Sequence, residues 1–234
     1  MPALPVHRQA VAVALAAARA GGRAALPFFR RADLAVEWKA DESPVTVADR
    51  EAEQAIKAVI NTAFPEDGWL GEETGTAAGT SGRRWIVDPI DGTRSFITGS
   101  PLWGTLVGVL QGGRVVFGMV DMPVLGERWT GQVGKGAQRN GEAVHVSACT
   151  MIDRARIVTT SPDIFSPADW QAFDRLSRQC AMRRFGGDCY GYAQLAGGTI
   201  DLVVETGLQP YDYLGPAGLI EAAGGVITDW LGQP

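Results

Sequence analysis

The chain has 234 residues, 46% hydrophobic and 20% charged, with a net charge of -5. That acidic balance excludes a general polyanion-binding surface, so no nucleic-acid partner is expected, and a small anionic ligand would need bound cations to neutralise it. The three cysteines, Cys149, Cys180 and Cys189, are odd in number and lack C-x-x-C spacing; they read as reduced core thiols of a cytoplasmic protein, not as a disulfide framework or zinc site.

The first predicted element is an Ala-rich helix over about 6–32. Its RQAVAVALAAA run imitates a signal peptide, but Arg19 and Arg23 break it, and no other stretch approaches the ~20 apolar residues that span a bilayer, so no membrane partner is expected. A polar passage with Pro44 follows, and Asp49 opens a second helix, DREAEQAIKAVINTAF, with Ala52, Ile56, Val59, Ile60 and Ala63 at helical spacing. After Pro65, WLGEETG reads as a strand end and loop, TAAGTSG as a flexible segment, and RRWIVD as a buried strand. From Leu102 the period becomes two: LWGTLVGVL and GGRVVFGMVD form a hairpin, and GERWTGQ and GKGAQRNGEAVHVS extend the sheet, with Asn140-Gly141 as a tight turn. The second half alternates: strand ARIVTT, helix PADWQAFDRLSRQC, strand MRRF, helix DCYGYAQLAGG, strand IDLVVE, helix YDYLGPAGLIEAAGG and strand VITDW. Two mixed sheets sandwiched by helices are expected, as a single unit of two closely packed lobes, about 1–150 and about 151–234. A ligand cleft is expected between them.

Several chemistries are excluded by inspection. His7 and His145 are the only histidines and neither lies near a plausible nucleophile; there is no G-x-x-x-x-G-K-[ST] loop, and no cysteine precedes a phosphate-cradling loop. What stands out is acidic residues at strand ends and helix starts: Asp49, Glu72, Glu73, Asp88, Asp91 and Asp212. Any one of them can cap free N-H groups, and for Asp49 capping is a full explanation by itself. Asp88 and Asp91 are harder to explain so, because they follow the apolar run Trp85 to Val87, where paired carboxylates repel unless protonated or met by a cation. Hard divalent cations take oxygen ligands, and Pro89 stiffens a turn in which both side chains and the Ile90 carbonyl can converge. Gly92 permits close backbone approach and Thr93 adds a hydroxyl beside free amides, so the stretch reads as a metal-assisted phosphoryl site.

GEE at 71–73, WIVDPIDGTRSF at 85–96, and PYD at 210–212 with EAAGG at 221–225 resemble the inositol monophosphatase superfamily of Mg2+-dependent, lithium-sensitive phosphatases. The resemblance covers nearly the whole chain and implies a layered αβαβα sandwich of the inositol monophosphatase / fructose-1,6-bisphosphatase type, a mixed α/β (α+β) fold. It implies that Glu72, Asp88 and the Ile90 carbonyl hold one Mg2+, that Asp88, Asp91 and Asp212 hold a second, and that a third, weaker ion sits near Glu72. Mn2+ would substitute, and Li+ or Ca2+ would inhibit. Asp49 and Thr93 would activate the attacking water, the Gly92 and Thr93 amides would bind phosphate beside Asp91 and Asp212, and Glu205 would contact the rest of the substrate. Relatives of this kind are commonly homodimers and usually continue past the position of Pro234.

Within that superfamily, residues 182–213 are more similar to the bacterial histidinol-phosphatase branch, through Arg184, Gly186, Gly187, Asp188 and Tyr211. The implied reaction is hydrolysis of L-histidinol phosphate in histidine biosynthesis, with Asp188 and Glu205 facing the cationic end of the substrate. Arg184 would meet the phosphate or order those two acids; alternatively Arg184 and Asp188 form a structural ion pair. The alternatives are an inositol-1-phosphate or broad sugar-phosphate phosphatase, and a non-catalytic phosphometabolite-binding protein. Two departures stand out: Gln209 replaces the expected lysine before PYD, and GPAG at 215–218 predicts a less rigid mount for Asp212.

Overall fold

The computed structural model describes residues 8–39 and 44–233. The first helix, α1 (Arg8–Ala25), ends seven residues before the expected point because Pro27 turns the chain into a short 3-10 segment; its expected start near residue 6 lies outside the described residues. By length and composition α1 would pass for a membrane span. Here its small residues Ala10, Ala14, Ala17 and Ala18 are fully buried in one cluster with Ile56 and Ile60. A short antiparallel pair, β1 (Val36–Trp38) and β2 (Pro44–Thr46), leads into α2 (Val47–Ala63). Asp49 is not the first residue of α2: Thr46 is the N-cap, and Asp49 closes a reciprocal capping box from the third helical position.

The main sheet has eight strands in the order β10-β9-β8-β7-β6-β5-β3-β4. Its members are β3 (Gly68–Gly71), β4 (Gly75–Ala77), β5 (Arg83–Asp91), β6 (Gly104–Gln111), β7 (Arg114–Met122), β8 (Glu127–Gln132), β9 (Gly136–Arg139) and β10 (Glu142–Val144). Only β3 and β5 run parallel; the β6–β10 meander is antiparallel, with Asn140 and Gly141 both at positive φ in the β9–β10 turn. The segment expected to be flexible, 76–82, begins within edge strand β4, because residues 75–77 pair with the backbone of β3. Between β5 and β6, the one-and-a-half-turn helix α3 (Thr93–Thr98) follows directly on the metal-motif strand.

A second sheet of three strands, β12-β11-β13, is built from β11 (Arg156–Thr159), β12 (Met182–Phe185) and β13 (Leu202–Val203), with helices α4 (Pro167–Ser177), α5 (Cys189–Ala196) and α6 (Pro210–Ala222) between and after them. All its recorded pairs are parallel, so it is not the mixed sheet expected. Residues 226–230 form no strand: Val226 is 81% exposed, and the Trp230 indole donates to the Glu205 carbonyl instead of the backbone entering a ladder. The layers run α1/α2, large sheet, α5/α6 and small sheet, with α4 set against β12 through Trp170 and Phe173 beside Phe185 and Asp174 on Arg183, as in a layered αβαβα fold. Cys149 is exposed, contrary to a core reading, while Cys189 is buried and no cysteine is bridged.

The contact between α6 and the large sheet is made backbone to backbone. A Cβ on Gly118 would lie 2.0 Å from the Gly215 carbonyl oxygen, and one on Gly218 would lie 2.7 Å from the Gly118 nitrogen. Gly215 and Gly218 therefore let α6 lie flush on β6–β8, with Leu219 and Ile220 buried beside them. The expectation that GPAG loosens the mount of Asp212 is reversed, because the glycines bring the helix carrying it against the sheet.

Candidate active site

The eight-stranded sheet delivers β5 to the cleft with Trp85, Ile86, Val87, Asp88 and Ile90 all buried, so Asp88 arrives at the end of an apolar strand. A register shift between Asp88 and Asp91 breaks the ladder to β6 there. Asp88 turns back on its own backbone, its carboxylate accepting the Ile90 N-H at 3.0 Å. Asp91 accepts the Cys189 N-H at 2.7 Å, tying β5 to the start of α5 across the fold. Asp212 accepts the Gln209 N-H at 2.7 Å as the third helical residue of α6. Asp88, Asp91 and Asp212 offer carboxylate oxygens within 4.8 Å of one another.

These carboxylates are out of balance as anions. Burial first, then Glu72, Asp91 and Asp212, push Asp88 well above the ordinary carboxylate range; burial, Asp188 and Asp212 do the same to Asp91. Burial raises Asp212 to about 6. Glu72 is pushed up to about 7 by burial, against the opposing pull of Lys39, whose ammonium meets Glu72 Oε1 at 2.8 Å and Glu73 Oε1 at 2.7 Å. Among the lining residues of the adjoining cavity, about 220 Å³, six are acidic, Glu72, Asp88, Asp91, Asp188, Glu205 and Asp212, and none is Lys, Arg or His. Converging oxygen donors with an unmet charge fit one or more divalent cations such as Mg2+.

Around that cluster lie groups suited to water and phosphate. Thr93 Oγ1 donates to the Ile90 carbonyl at 3.2 Å and lies 3.5 Å from Asp49 Oδ1. Asp49 Oδ2 accepts from the Thr46 N-H and hydroxyl while its Oδ1 faces Thr93; burial raises its pKa, and Asp49 lies behind Thr93 and does not itself line the cavity. Gly92, at φ 82, is the N-cap of α3; a Cβ there would sit 3.1 Å from Asp188 and 3.2 Å from the Leu102 carbonyl oxygen.

Of the residues read from the small-sheet half, Asp188 and Glu205 reach this cavity, whereas Arg184, Gly186 and Gly187 do not line it. Arg184 is exposed on β12, and the alternative Arg184–Asp188 ion pair is not formed: Asp188 accepts from Ser95 Oγ at 2.6 Å. Gly186 and Gly187 have φ of 85° and 129° and precede Asp188 at 44°, a run of left-handed backbone that delivers the carboxylate to the cleft. Glu205 accepts the Thr160 N-H at 2.7 Å and hydroxyl at 3.0 Å, and burial brings its pKa to about 7. Sequence reasoning missed Lys39, Ser95, Thr160 and Tyr192; Lys39 and Thr160 sit in ordinary polar stretches, while Ser95 and Tyr192 lie within the singled-out segments 85–96 and 182–213, and only the fold shows Ser95 donating to Asp188 and Tyr192 lining the cavity.

Fold and site together define a layered α/β protein with a carboxylate-ringed cleft between its two sheets, whose acidic cluster fits a metal site. The chain belongs to the inositol monophosphatase family, whose model matches residues 7–234, and that family is Mg2+-dependent. It is 42% identical over 224 residues to the bifunctional phosphatase IMPL2 of Arabidopsis thaliana, covering 95% of this chain but only 64% of that longer protein. It is 38% identical to the histidinol-phosphatase of Chlorobaculum parvum, over 94% of this chain and 86% of the relative. Among solved structures, an inositol monophosphatase from Zymomonas mobilis is 40% identical with a TM-score of 0.87, over 99% of this chain and 89% of the other.

Proposed function

We propose that this chain is a Mg2+-dependent phosphomonoesterase acting on L-histidinol phosphate, releasing L-histidinol and phosphate. The observation that carries it is the six-carboxylate cleft with no lining cationic side chain. Glu72, Asp88, Asp91, Asp212 and the Ile90 carbonyl would hold the metal. Mg2+ bound there would lower the pKa of a water and neutralise phosphoryl oxygens. The chain's own part is positioning: the Gly92–Thr93 amides orient the phosphate, and the Asp49–Thr93 pair accepts the proton of the attacking water.

Asp188 and Glu205 are left over once metal ligands are counted, and an amine-bearing alcohol such as histidinol supplies the positive charge they lack. The Chlorobaculum parvum relative supports that choice. An inositol phosphate offers those carboxylates only hydroxyls, yet the Zymomonas mobilis structure keeps it as the second reading. Phosphate release from histidinol phosphate and inositol-1-phosphate, with and without Mg2+, tests the proposal. Histidinol phosphate is expected to lead; a preference of about tenfold for inositol-1-phosphate, or ~1.4 kcal/mol, reverses the substrate assignment. Asp91→Asn and Asp212→Asn are each expected to lower Mg2+-dependent release by about 100-fold or more; intact release in either overturns the metal site. A cytoplasmic homodimer belongs to the same reading, and sedimentation velocity checks the dimer.

A further inference from the structure

One buried acid beside the cleft has no part in the chemistry above. Glu53 lies on α2 one turn after Asp49 and is 0% exposed. Its carboxylate accepts the Glu73 N-H and the Thr74 N-H, each at 2.8 Å. On the other side of Glu72, its own N-H donates to the Val87 carbonyl at 3.2 Å. The backbone of Glu72 is thus held by β5 on one side and by Glu53 on the other.

Gly71 completes the arrangement. A Cβ at this position would lie 2.6 Å from Glu53 Oε1 and 2.7 Å from both Cδ and Oε2. Gly71 is recorded with no positive φ, so its backbone does not demand glycine; the space is taken by the Glu53 carboxylate. A fully buried carboxylate bonded to the backbone of an acidic loop that carries Glu72 and Glu73 is a costly way to satisfy two amides, since a neutral acceptor would do so without added negative charge. Its advantage is strength: charge-assisted hydrogen bonds hold a loop whose neighbouring carboxylates repel one another.

We propose that Glu53 is a positioning residue for the metal centre, gripping the Glu73 and Thr74 amides to fix the Glu72 carboxylate in the cleft. Gly71 is glycine because that grip fills the place of its side chain. The inference rests on the reading of the cleft as a Mg2+ site.

Glu53→Gln is isosteric, but its amide nitrogen faces one of the two N-H groups and leaves it unpaired. Binding of Mn2+ to the substrate-free protein, followed by electron paramagnetic resonance, should weaken about tenfold at the site that uses Glu72. The site built on Asp91 and Asp212 should keep its affinity. In turnover, half-saturation by Mg2+ should rise by a similar factor, while saturating Mg2+ restores kcat and leaves KM for the phosphate ester unchanged. Gly71→Ala should reproduce this pattern, and it should do less harm in a Glu53→Asp background, where the shorter side chain vacates the space. That pair carries the test if Glu53→Gln does not fold. Unchanged Mn2+ affinity in Glu53→Gln, or equal weakening at both sites, overturns the role of Glu53. A wild-type protein that binds no Mn2+ overturns the metal-site reading and the inference with it.

Discussion

At the scale of single residues, the fold distinguishes acids that are satisfied from acids that are not. Asp67 has its side chain only 2% exposed and accepts from Arg83 Nε at 2.5 Å, Trp85 Nε1 at 2.7 Å and Ser81 Oγ at 2.6 Å. Burial pushes its carboxyl up, but these donors outweigh it and hold the pKa below the ordinary range. The Asp88–Asp91–Asp212 group has the opposite balance, with carboxylates facing carboxylates. Asp67→Ala should therefore cost stability without touching the metal requirement. Breaking a buried ion pair and orphaning the Trp85 indole predicts a loss of about 3–5 kcal/mol in urea unfolding, with half-saturation by Mg2+ unchanged in the protein that remains folded. A shift in Mg2+ requirement would place Asp67 in the metal centre instead. Asp49 bridges the two kinds, because its capping bonds to Thr46 and its approach to Thr93 use different oxygens.

At the scale of elements, the site depends on where β5 and α6 end. The RRWIVD strand extends three residues further than its apolar run shows, because the chain carries on past Pro89 through a bulged register to Asp91 where the sequence reads as a turn. The runs of β6 and β7 are plain in the sequence because they are rich in apolar and β-branched residues, which the fold buries on both faces, under α1 on one side and α6 on the other. The role of GPAG was not, because a glycine signals freedom in a sequence and close approach in a structure, and only the sheet opposite decides which. Gly118→Ala tests the second meaning. Its Cβ would meet backbone on both counts, the Gly215 carbonyl oxygen at 2.0 Å and the Leu219 nitrogen at 2.6 Å, so no side chain can rotate away. A destabilisation of about 3 kcal/mol or more is expected in thermal or urea unfolding, together with weaker metal binding through Asp212 at the start of the displaced helix. Stability within about 0.5 kcal/mol of wild type would mean that α6 is not clamped as described.

At the scale of the whole molecule, the cleft is assembled from segments far apart in the chain, which limits how much of it a sequence can disclose. Asp88, Asp91, Gly92 and Thr93 announce themselves because they are close neighbours in an unusual order; Lys39, Glu53 and Thr160 each look like ordinary surface or helix residues until folding sets them against Glu72, Glu73 and Glu205. The same assembly makes stability depend on protons and on metal. Folding raises Glu72 from 4.5 to about 7 and Asp212 from 3.8 to about 6, chiefly by burial. A raised carboxyl pKa means that the folded state keeps protons which the unfolded chain releases, so metal-free stability falls as pH rises from about 4 to about 7. Glu72 alone would cost the ionised fold about 3 kcal/mol, a penalty that builds up above about pH 4.5 and is complete only about one pH unit above 7. Binding of a divalent cation exchanges those protons for metal charge and removes the penalty. In EDTA, the melting temperature should therefore be lower at pH 8 than at pH 5.5, and millimolar Mg2+ should raise it more at pH 8. Proton release on metal binding, measured in weakly buffered solution, should be larger at pH 6 than at pH 8, where Glu72 and Asp212 are already ionised. Metal-free melting independent of pH over this range, or Mg2+ stabilisation no greater at pH 8 than at pH 5.5, would show that these carboxylates are neutralised within the fold itself.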